Sequence, residues 1–333
     1  VDTVLTLMTS KSPTGAIPEK TSPQKTPVEL WYGARVHTIL GPGVAASPSE
    51  QIGKGMKIAI QGEPGSFSHE AAMNFAADAV IVPCSLSADV FAALADGSVA
   101  AAAIPIENSL AGSVLEHFDL LLAHDVTVER ESLLRIRHNL IAVSGSAIGD
   151  IDRVFSHPVA LAQCRRFLAR HPRMESYAYY DTAGSVKQLV ELRDRHAAAI
   201  ASEAAARYYG AQILESGIED NPENFTRFFL VRQSAEAKID PQANKVSIAF
   251  SVENKPGSLV AGLAELSAVG TNLTKIESRP VHGKPWEYIF YVDCQLQSPE
   301  EATRALEALR PHCSMVKELG RYREAIKPTQ ARP

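Results

Sequence analysis

Met56-Lys-Ile-Ala-Ile-Gln-Gly-Glu-Pro-Gly-Ser-Phe-Ser68 opens the ordered part of the chain and sets its architecture. The run from Met56 to Ile60 is short and apolar, and it is bounded by Gly55 and Gly62, so it reads as a buried strand. Ser68 to Ala77 then reads as a helix. The same rhythm continues with a strand at Ala79 to Val82, a helix at Ser87 to Asp96, a strand at Ala100 to Ile104 and a helix at Val114 to Ala123. It resumes with a strand at Arg153-Val-Phe155, helices at Val159 to Arg170 and Ser185 to Arg193, a strand at Ala198-Ala-Ile200 and a helix at Ser202 to Tyr209. Long strands at Glu129 to Leu134 and Arg137 to Val143 lie between the two halves. Strands alternating with helices at this spacing predict an α/β fold with a mainly parallel sheet covered on both faces. Two such lobes joined by crossing strands leave a ligand cleft between them.

On the C-terminal side a polar link from Gln233 to Pro241 leads into a second unit. Lys245 to Val252 alternates like a strand, and Gly257 to Val269 carries Leu259, Leu263 and Leu266 at helical spacing. Asn272 to Ile276, Glu287 to Gln295, a helix at Pro299 to Leu309 and a closing strand near Met315 to Leu319 complete it. This β-α-β-β-α-β order in about 75 residues is ferredoxin-like. On the N-terminal side, residues 1–55 hold Pro13, Pro18, Pro23, Pro27, Pro42 and Pro48 without a sustained apolar period, which reads as a disordered leader. The expected organisation is a leader over 1–55, a two-lobed unit over 56–233, a linker over 234–244, the ferredoxin-like unit over 245–322 and a tail over 323–333.

Composition narrows the function classes. A net charge of −5 offers no basic footprint for a phosphate backbone, so nucleic acid is not an expected partner. Cys84, Cys164, Cys294 and Cys313 form no CxxC pair, which argues against a zinc site or a disulfide framework and for reduced thiols. No apolar run reaches the roughly 18 residues a membrane span needs. The start of the sequence lacks a charged segment followed by a clean apolar core, so a cytoplasmic location is expected.

The polar motifs fall at strand ends, where open α/β sheets bind ligands. Gly62-Glu-Pro-Gly65-Ser-Phe-Ser68 leaves a strand and opens a helix whose N–H groups and dipole suit a carboxylate. A plain N-cap role for Ser68 explains the segment equally well. Ile104-Pro-Ile-Glu107-Asn108-Ser109 with Gly112-Ser113 makes the second such turn. Glu107, pushed toward neutrality in a closed cleft, would donate a proton; its alternative is a salt bridge with an arginine or a helix cap. Ser156-His157-Pro158 with Gln163 supplies a neutral donor pair, and His157 before proline at a strand end reads more readily as structural than as a base. Asp181-Thr182-Ala-Gly184-Ser185 is a further turn, explained equally by a helix N-terminus. In Thr226-Arg227-Phe228, a planar guanidinium is a natural clamp for a carboxylate. Taken alone, the tripeptide is better explained by a surface salt bridge and a core phenylalanine.

Taken together and in order, these motifs resemble the prephenate dehydratase family, which includes the arogenate dehydratases. The resemblance spans residues 57 to 232. The second unit resembles an ACT regulatory domain through Pro256-Gly257-Ser258-Leu259-Val260 and Glu277-Ser278-Arg279-Pro280, with Ser258 standing where the family more often has alanine. The resemblance implies a catalytic unit of two lobes like those of type II periplasmic binding proteins, a phenylalanine effector site on the second unit, and a homodimer or homotetramer. It places Thr226 at the departing hydroxyl, with Glu107 as competing proton donor. Asn108, Ser109, Ser156, Gln163, Thr182, Arg227 and Phe228 are then the substrate-binding residues. No metal or organic cofactor is implied.

Prephenate would lose its ring carboxylate as CO2 and its C4 hydroxyl as water as the ring becomes aromatic. A tight cationic clamp on the ring carboxylate would oppose that loss, so Arg227 is expected at the side-chain carboxylate or in the architecture of the site. Removing residues 245–333 is expected to leave activity that ignores phenylalanine. The rival reading is a non-catalytic amino-acid sensor of the same fold.

Overall fold

The structure, a computed structural model, describes residues 55–281, 284, 286 and 287–326. The leader expected over 1–55 lies outside them apart from Gly55. The chain begins its first lobe with β1 (Lys57–Gln61), α1 (Phe67–Phe75), β2 (Val80–Cys84), α2 (Ser87–Ala95), β3 (Ala101–Asn108), the short β4 (Gly112–Ser113), α3 (Leu115–Ala123) and β5 (Val126–Arg135). It crosses to a second lobe made of β6 (Asn139–Ala142), β7 (Arg153–Ser156), α4 (Pro158–Ala162), α5 (Arg165–Arg170), β8 (Glu175–Ala178), α6 (Thr182–Leu192), β9 (Ala197–Ala201), α7 (Glu203–Tyr209) and β10 (Gln212–Ser216). It then returns to the first lobe as β11 (Phe225–Gln233). The C-terminal unit follows as β12 (Lys245–Ser251), α8 (Ser258–Ala268), β13 (Asn272–Pro280), β14 (Tyr288–Gln295), α9 (Pro299–Leu309) and β15 (Met315–Tyr322).

The sheet of the first lobe runs β2-β1-β3-β11-β5, that of the second β10-β6-β9-β7-β8, and that of the C-terminal unit β13-β14-β12-β15. Neither lobe is mainly parallel, contrary to the expectation from sequence. β1 pairs in parallel with β2 and β3, but β11 runs antiparallel to both β3 and β5. In the second lobe β7 is parallel to β8 and β9, whereas β6 is antiparallel to β9 and β10. The cause is the double crossing: β11 enters the first lobe from the second, so its direction is fixed by where the chain comes from.

Alanine in the central strands lets helices approach the sheet. Ile58 faces Ala101 and Ile60 faces Ala103 across β1 and β3, so large and small side chains alternate beneath α1. On the opposite face Ala59, Ala102 and Ile104 pack with Val90, Phe91 and Leu94 of α2. That second core continues through Phe229 and Val231 into Ala249, Tyr291, Leu319 and Tyr322 of the C-terminal unit. The C-terminal sheet is therefore part of the same hydrophobic core as the first lobe.

Gly320 marks how closely the two sheets approach. A Cβ there would stand 2.2 Å from the Val128 carbonyl oxygen and 2.8 Å from its nitrogen, both backbone atoms that cannot swing away. Gly320→Ala is expected to lower stability by about 1–3 kcal/mol through overpacking. Urea midpoints of the two proteins would check this, and an unchanged midpoint would rule out the close approach.

The helix expected over Val159 to Arg170 is broken into α4 and α5. The break follows from tertiary hydrogen bonds. The Asp220 N–H donates to the Gln163 carbonyl oxygen at 2.7 Å, and the Asp220 carboxylate accepts from the Arg165 and Arg166 N–H groups at 3.0 and 2.8 Å. Asp220 thus ends one helix and caps the next.

Candidate active site

A cavity of about 430 Å3 lies between the two lobes. The first lobe lines it with Ser68, Asn108, Ser113, Thr226 and Phe228 among others, the connection between β5 and β6 with Ile136 and His138, and the second lobe with Gln163, Asp181 and Thr182. The first turns of α1 and α6 face it through Ser66 to Ser68 and through Asp181 and Thr182. Ser66 Oγ accepts from the His69 N–H, and an Asp181 carboxylate oxygen accepts from the Gly184 N–H at 2.7 Å. Burial raises the Asp181 pKa above the usual carboxylate value, against the backbone N–H of Gly184. Two helix N-termini facing one cavity favour an anionic ligand.

Thr226 sits at the end of a chain of amides whose polarity is fixed. The Asn108 side-chain oxygen accepts from the backbone N–H groups of Leu110 and Ala111 at 3.0 and 2.8 Å, so its nitrogen must face the other way. That nitrogen donates to Thr226 Oγ1 at 2.9 Å and to the Asn224 side-chain oxygen at 2.8 Å. The Asn224 nitrogen then donates to Gln163 Oε1 at 2.9 Å. The Thr226 oxygen is already an acceptor, which leaves its own proton to be donated. The Gln163 oxygen is likewise occupied; one N–H of its amide reaches Asn108 Oδ1 at 3.5 Å, and the second N–H is left as a donor.

Of the residues singled out in the sequence, Asn108, Gln163, Thr182, Thr226 and Phe228 line one cavity. Four other candidates do not. Glu107 points to the opposite face of β3, where it pairs with Lys275 at 3.0 Å and stands 3.8 Å from Arg227. Arg227 is 7% exposed and saturated by Glu131 at 2.6 Å, Asp293 at 2.5 Å and the Tyr322 hydroxyl at 2.9 Å. Burial alone would pull its pKa down, but Tyr322, Asp293 and Glu131 hold it well above the ordinary arginine value. Successive strand residues face opposite sides, so a strand that turns Thr226 and Phe228 to the cleft turns Arg227 away from it. Ser156 is fully buried and donates to the Ile200 carbonyl at 2.5 Å. Ser109 accepts from the Phe225 N–H at 3.0 Å and donates to the Glu223 carbonyl at 3.2 Å, pinning the entry to β11 from outside the cavity.

His157 lines the cavity, but its Nδ1 accepts from the Val159 N–H at 3.3 Å as the cap of α4, and burial lowers its pKa. Two residues of the site escape a reading of the sequence. Asn224 is fully buried two positions before Thr226, and His138 is 2% exposed in the connection between β5 and β6. Asn224 shares its stretch with Thr226, and that nearness was the available signal. His138 meets Gln163 across 25 residues of chain, which no local pattern reveals.

The segment around Glu277 touches the cleft from the C-terminal unit. Glu277 accepts from Ser113 Oγ at 2.8 Å, and Lys275 donates to the same Ser113 oxygen at 2.8 Å. Arg279 pairs with Asp119 on α3. Ser278 and Pro280 are exposed, as are Pro256 and Gly257, while Ser258 and Leu259 are half-buried at the start of α8. Val260 is 69% exposed.

With this geometry established, comparison with known proteins is decisive: the family model "Prephenate dehydratase" matches residues 58–236. The chain belongs to the prephenate dehydratase family. Arogenate dehydratase/prephenate dehydratase 2 of Arabidopsis thaliana is 39% identical over 283 residues, covering 81% of this chain and 73% of the plant protein. A solved structure of prephenate dehydratase in complex with L-Phe from Arthrobacter aurescens superposes with a TM-score of 0.74 at 31% identity, covering 80% of this chain and 90% of that one. GqqA, described as a novel type of quorum quenching acylase, has the same TM-score of 0.74 and identity of 31%, over 81% of this chain and 98% of its own. Members of the prephenate dehydratase family are lyases that eliminate water. Among the described residues no helix is long and apolar enough to cross a membrane.

Proposed function

We propose that this chain converts prephenate to phenylpyruvate, CO2 and water, with arogenate, which carries an amino group in place of the keto oxygen, as the alternative substrate. The observation that carries this reading is the polarity of the cleft. The amide chain leaves the Thr226 hydroxyl and the Gln163 amide nitrogen as donors, and no lysine or arginine is among the described residues lining the cavity. Such a cleft suits a dianion that must lose one carboxylate. The C–C bond to the ring carboxylate breaks, its electrons enter the ring, and the C4 oxygen departs as water on taking a proton through the Thr226 hydroxyl, which regains one from solvent so that the net proton consumed comes from solution. Neutral donors and helix N-termini hold the other carboxylate without freezing charge on the one that leaves.

Regulation by phenylalanine at the C-terminal unit belongs to the same proposal. Glu277 and Arg279 bear directly on Ser113 and Asp119, so a ligand that shifts β13 also shifts a wall of the cleft. Such a ligand must bind two cleft conformations unequally. Self-association is supported by Val260, Leu273, Ile276 and Tyr288, apolar side chains exposed on β13 and its neighbours. An acylase reading would require a hydroxyl activated by a base, whereas the partner found for Thr226 Oγ1 is the Asn108 amide. Steady-state turnover on purified prephenate and arogenate tests the proposal. Product from neither would overturn it, and the ratio of kcat/KM values assigns the preferred substrate.

A further inference from the structure

We infer that His138 is a positioning residue for the reaction, holding its proton on Nε2 so that Gln163 presents its amide N–H to the substrate. The inference rests on the proposed dehydration at this cleft. It begins at the backbone N–H groups of Leu110 and Ala111, whose direction cannot flip. They fix the Asn108 amide, which fixes Asn224, whose nitrogen fixes the oxygen of Gln163. The His138 Nε2 lies 2.9 Å from that same oxygen, so it must be the donor. In the neutral ring Nδ1 then carries no proton, and burial, opposed by the Gln163 hydrogen bond and by Glu219, lowers the pKa of His138, which favours the neutral form.

The residue is held in place on two sides. Phe67 packs edge-on against it at 5.7 Å between centroids and 80° between planes. The backbone N–H of His138 donates to the Glu219 carboxylate at 2.9 Å, which ties the connection between β5 and β6 to the segment around Glu219. The Gln163 oxygen thus receives one hydrogen bond from each side, from His138 and from Asn224. With His138 removed, the oxygen keeps only the Asn224 hydrogen bond, and the amide N–H is held less firmly toward the substrate.

The rescue pattern separates positioning from structure. His138→Gln can place an N–H where Nε2 stands, whereas His138→Leu fills the space without a donor. His138→Leu is expected to reduce kcat/KM on the wild-type enzyme's preferred substrate about 10–100-fold, the scale of a misplaced substrate-orienting group. His138→Gln should recover most of that loss, and Gln163→Leu combined with His138→Leu should be little worse than Gln163→Leu alone, since residues that act together are not additive. Equal losses in the Leu and Gln variants, or additive losses in the double variant, would overturn the inference. If a variant does not fold, 15N NMR of histidine in the wild-type enzyme decides, because a proton on Nδ1 contradicts it and a proton on Nε2 supports it. Failure of the wild type on both prephenate and arogenate would instead remove the functional reading on which the inference stands.

Discussion

Thr226→Ala is expected to cut turnover at least about 100-fold, the lower end of what a positioned proton donor contributes. The hydroxyl of an ordinary alcohol is a poor acid, so its position and surroundings must compensate. Two features do so here. The Asn108 amide donates to Thr226 Oγ1 at 2.9 Å, drawing electron density from the oxygen and turning its proton toward the cavity. The residue is 8% exposed, so little water competes for that proton. The departing hydroxyl needs the proton only as the C–O bond breaks, so the loss should fall mainly on kcat and leave KM little changed. Thr226→Ser keeps the hydroxyl and should retain most activity. Near-normal kcat in the alanine variant would remove Thr226 from the role. Glu107 would not inherit it without rearrangement, because it faces Lys275 across the sheet.

Much of the scaffold was legible from local pattern. The strand at β1, the helix at Ser87–Ala95 and the β-α-β-β-α-β order after Lys245 follow from apolar periodicity and from glycine and proline punctuation. The misreadings have one physical cause, the influence of distant chain. Asp220 breaks the helix at Gln163, and the return of the chain from the second lobe makes β11 antiparallel. The site shows the same division. The strand ends carrying Asn108 and Thr226 were recognisable, but motif membership alone does not tell which neighbours face the cleft. Strand alternation does tell: with Asn108 and Thr226 turned inward, Glu107 and Arg227 must turn outward. The destination of that outward face, a buried ionic junction with the C-terminal unit, depends on Asp293 and Tyr322 and is invisible in the sequence around Thr226.

Asp293→Ala is expected to destabilise the folded chain by about 3–5 kcal/mol, because removing one partner of a buried ion pair leaves the other charge uncompensated. Asp293 is 3% exposed; one oxygen accepts from Arg227 at 2.5 Å and the other from Ser247 Oγ at 2.5 Å. Arg227 would keep Glu131, but Glu131 also serves Lys245 at 3.2 Å and the Ala325 N–H at 2.9 Å, so it cannot replace the lost carboxylate. The same geometry leads to a different prediction from the expectation that deleting residues 245–333 yields a merely unregulated enzyme. Deletion would expose Phe229, Val231 and Val128, which pack with Tyr291, Leu319 and Tyr322, and would strip Arg227 of two partners. The truncated chain should unfold or aggregate. Chemical denaturation followed by fluorescence checks both statements: a midpoint for Asp293→Ala close to wild type, or a truncated chain with a normal cooperative transition, would show that the first lobe does not depend on this junction. Arg227 lies directly beside Thr226 on β11, so loosening it should also reduce activity in protein that remains folded. That coupling gives the C-terminal unit a physical route to Thr226, through a strand whose two faces serve two different units.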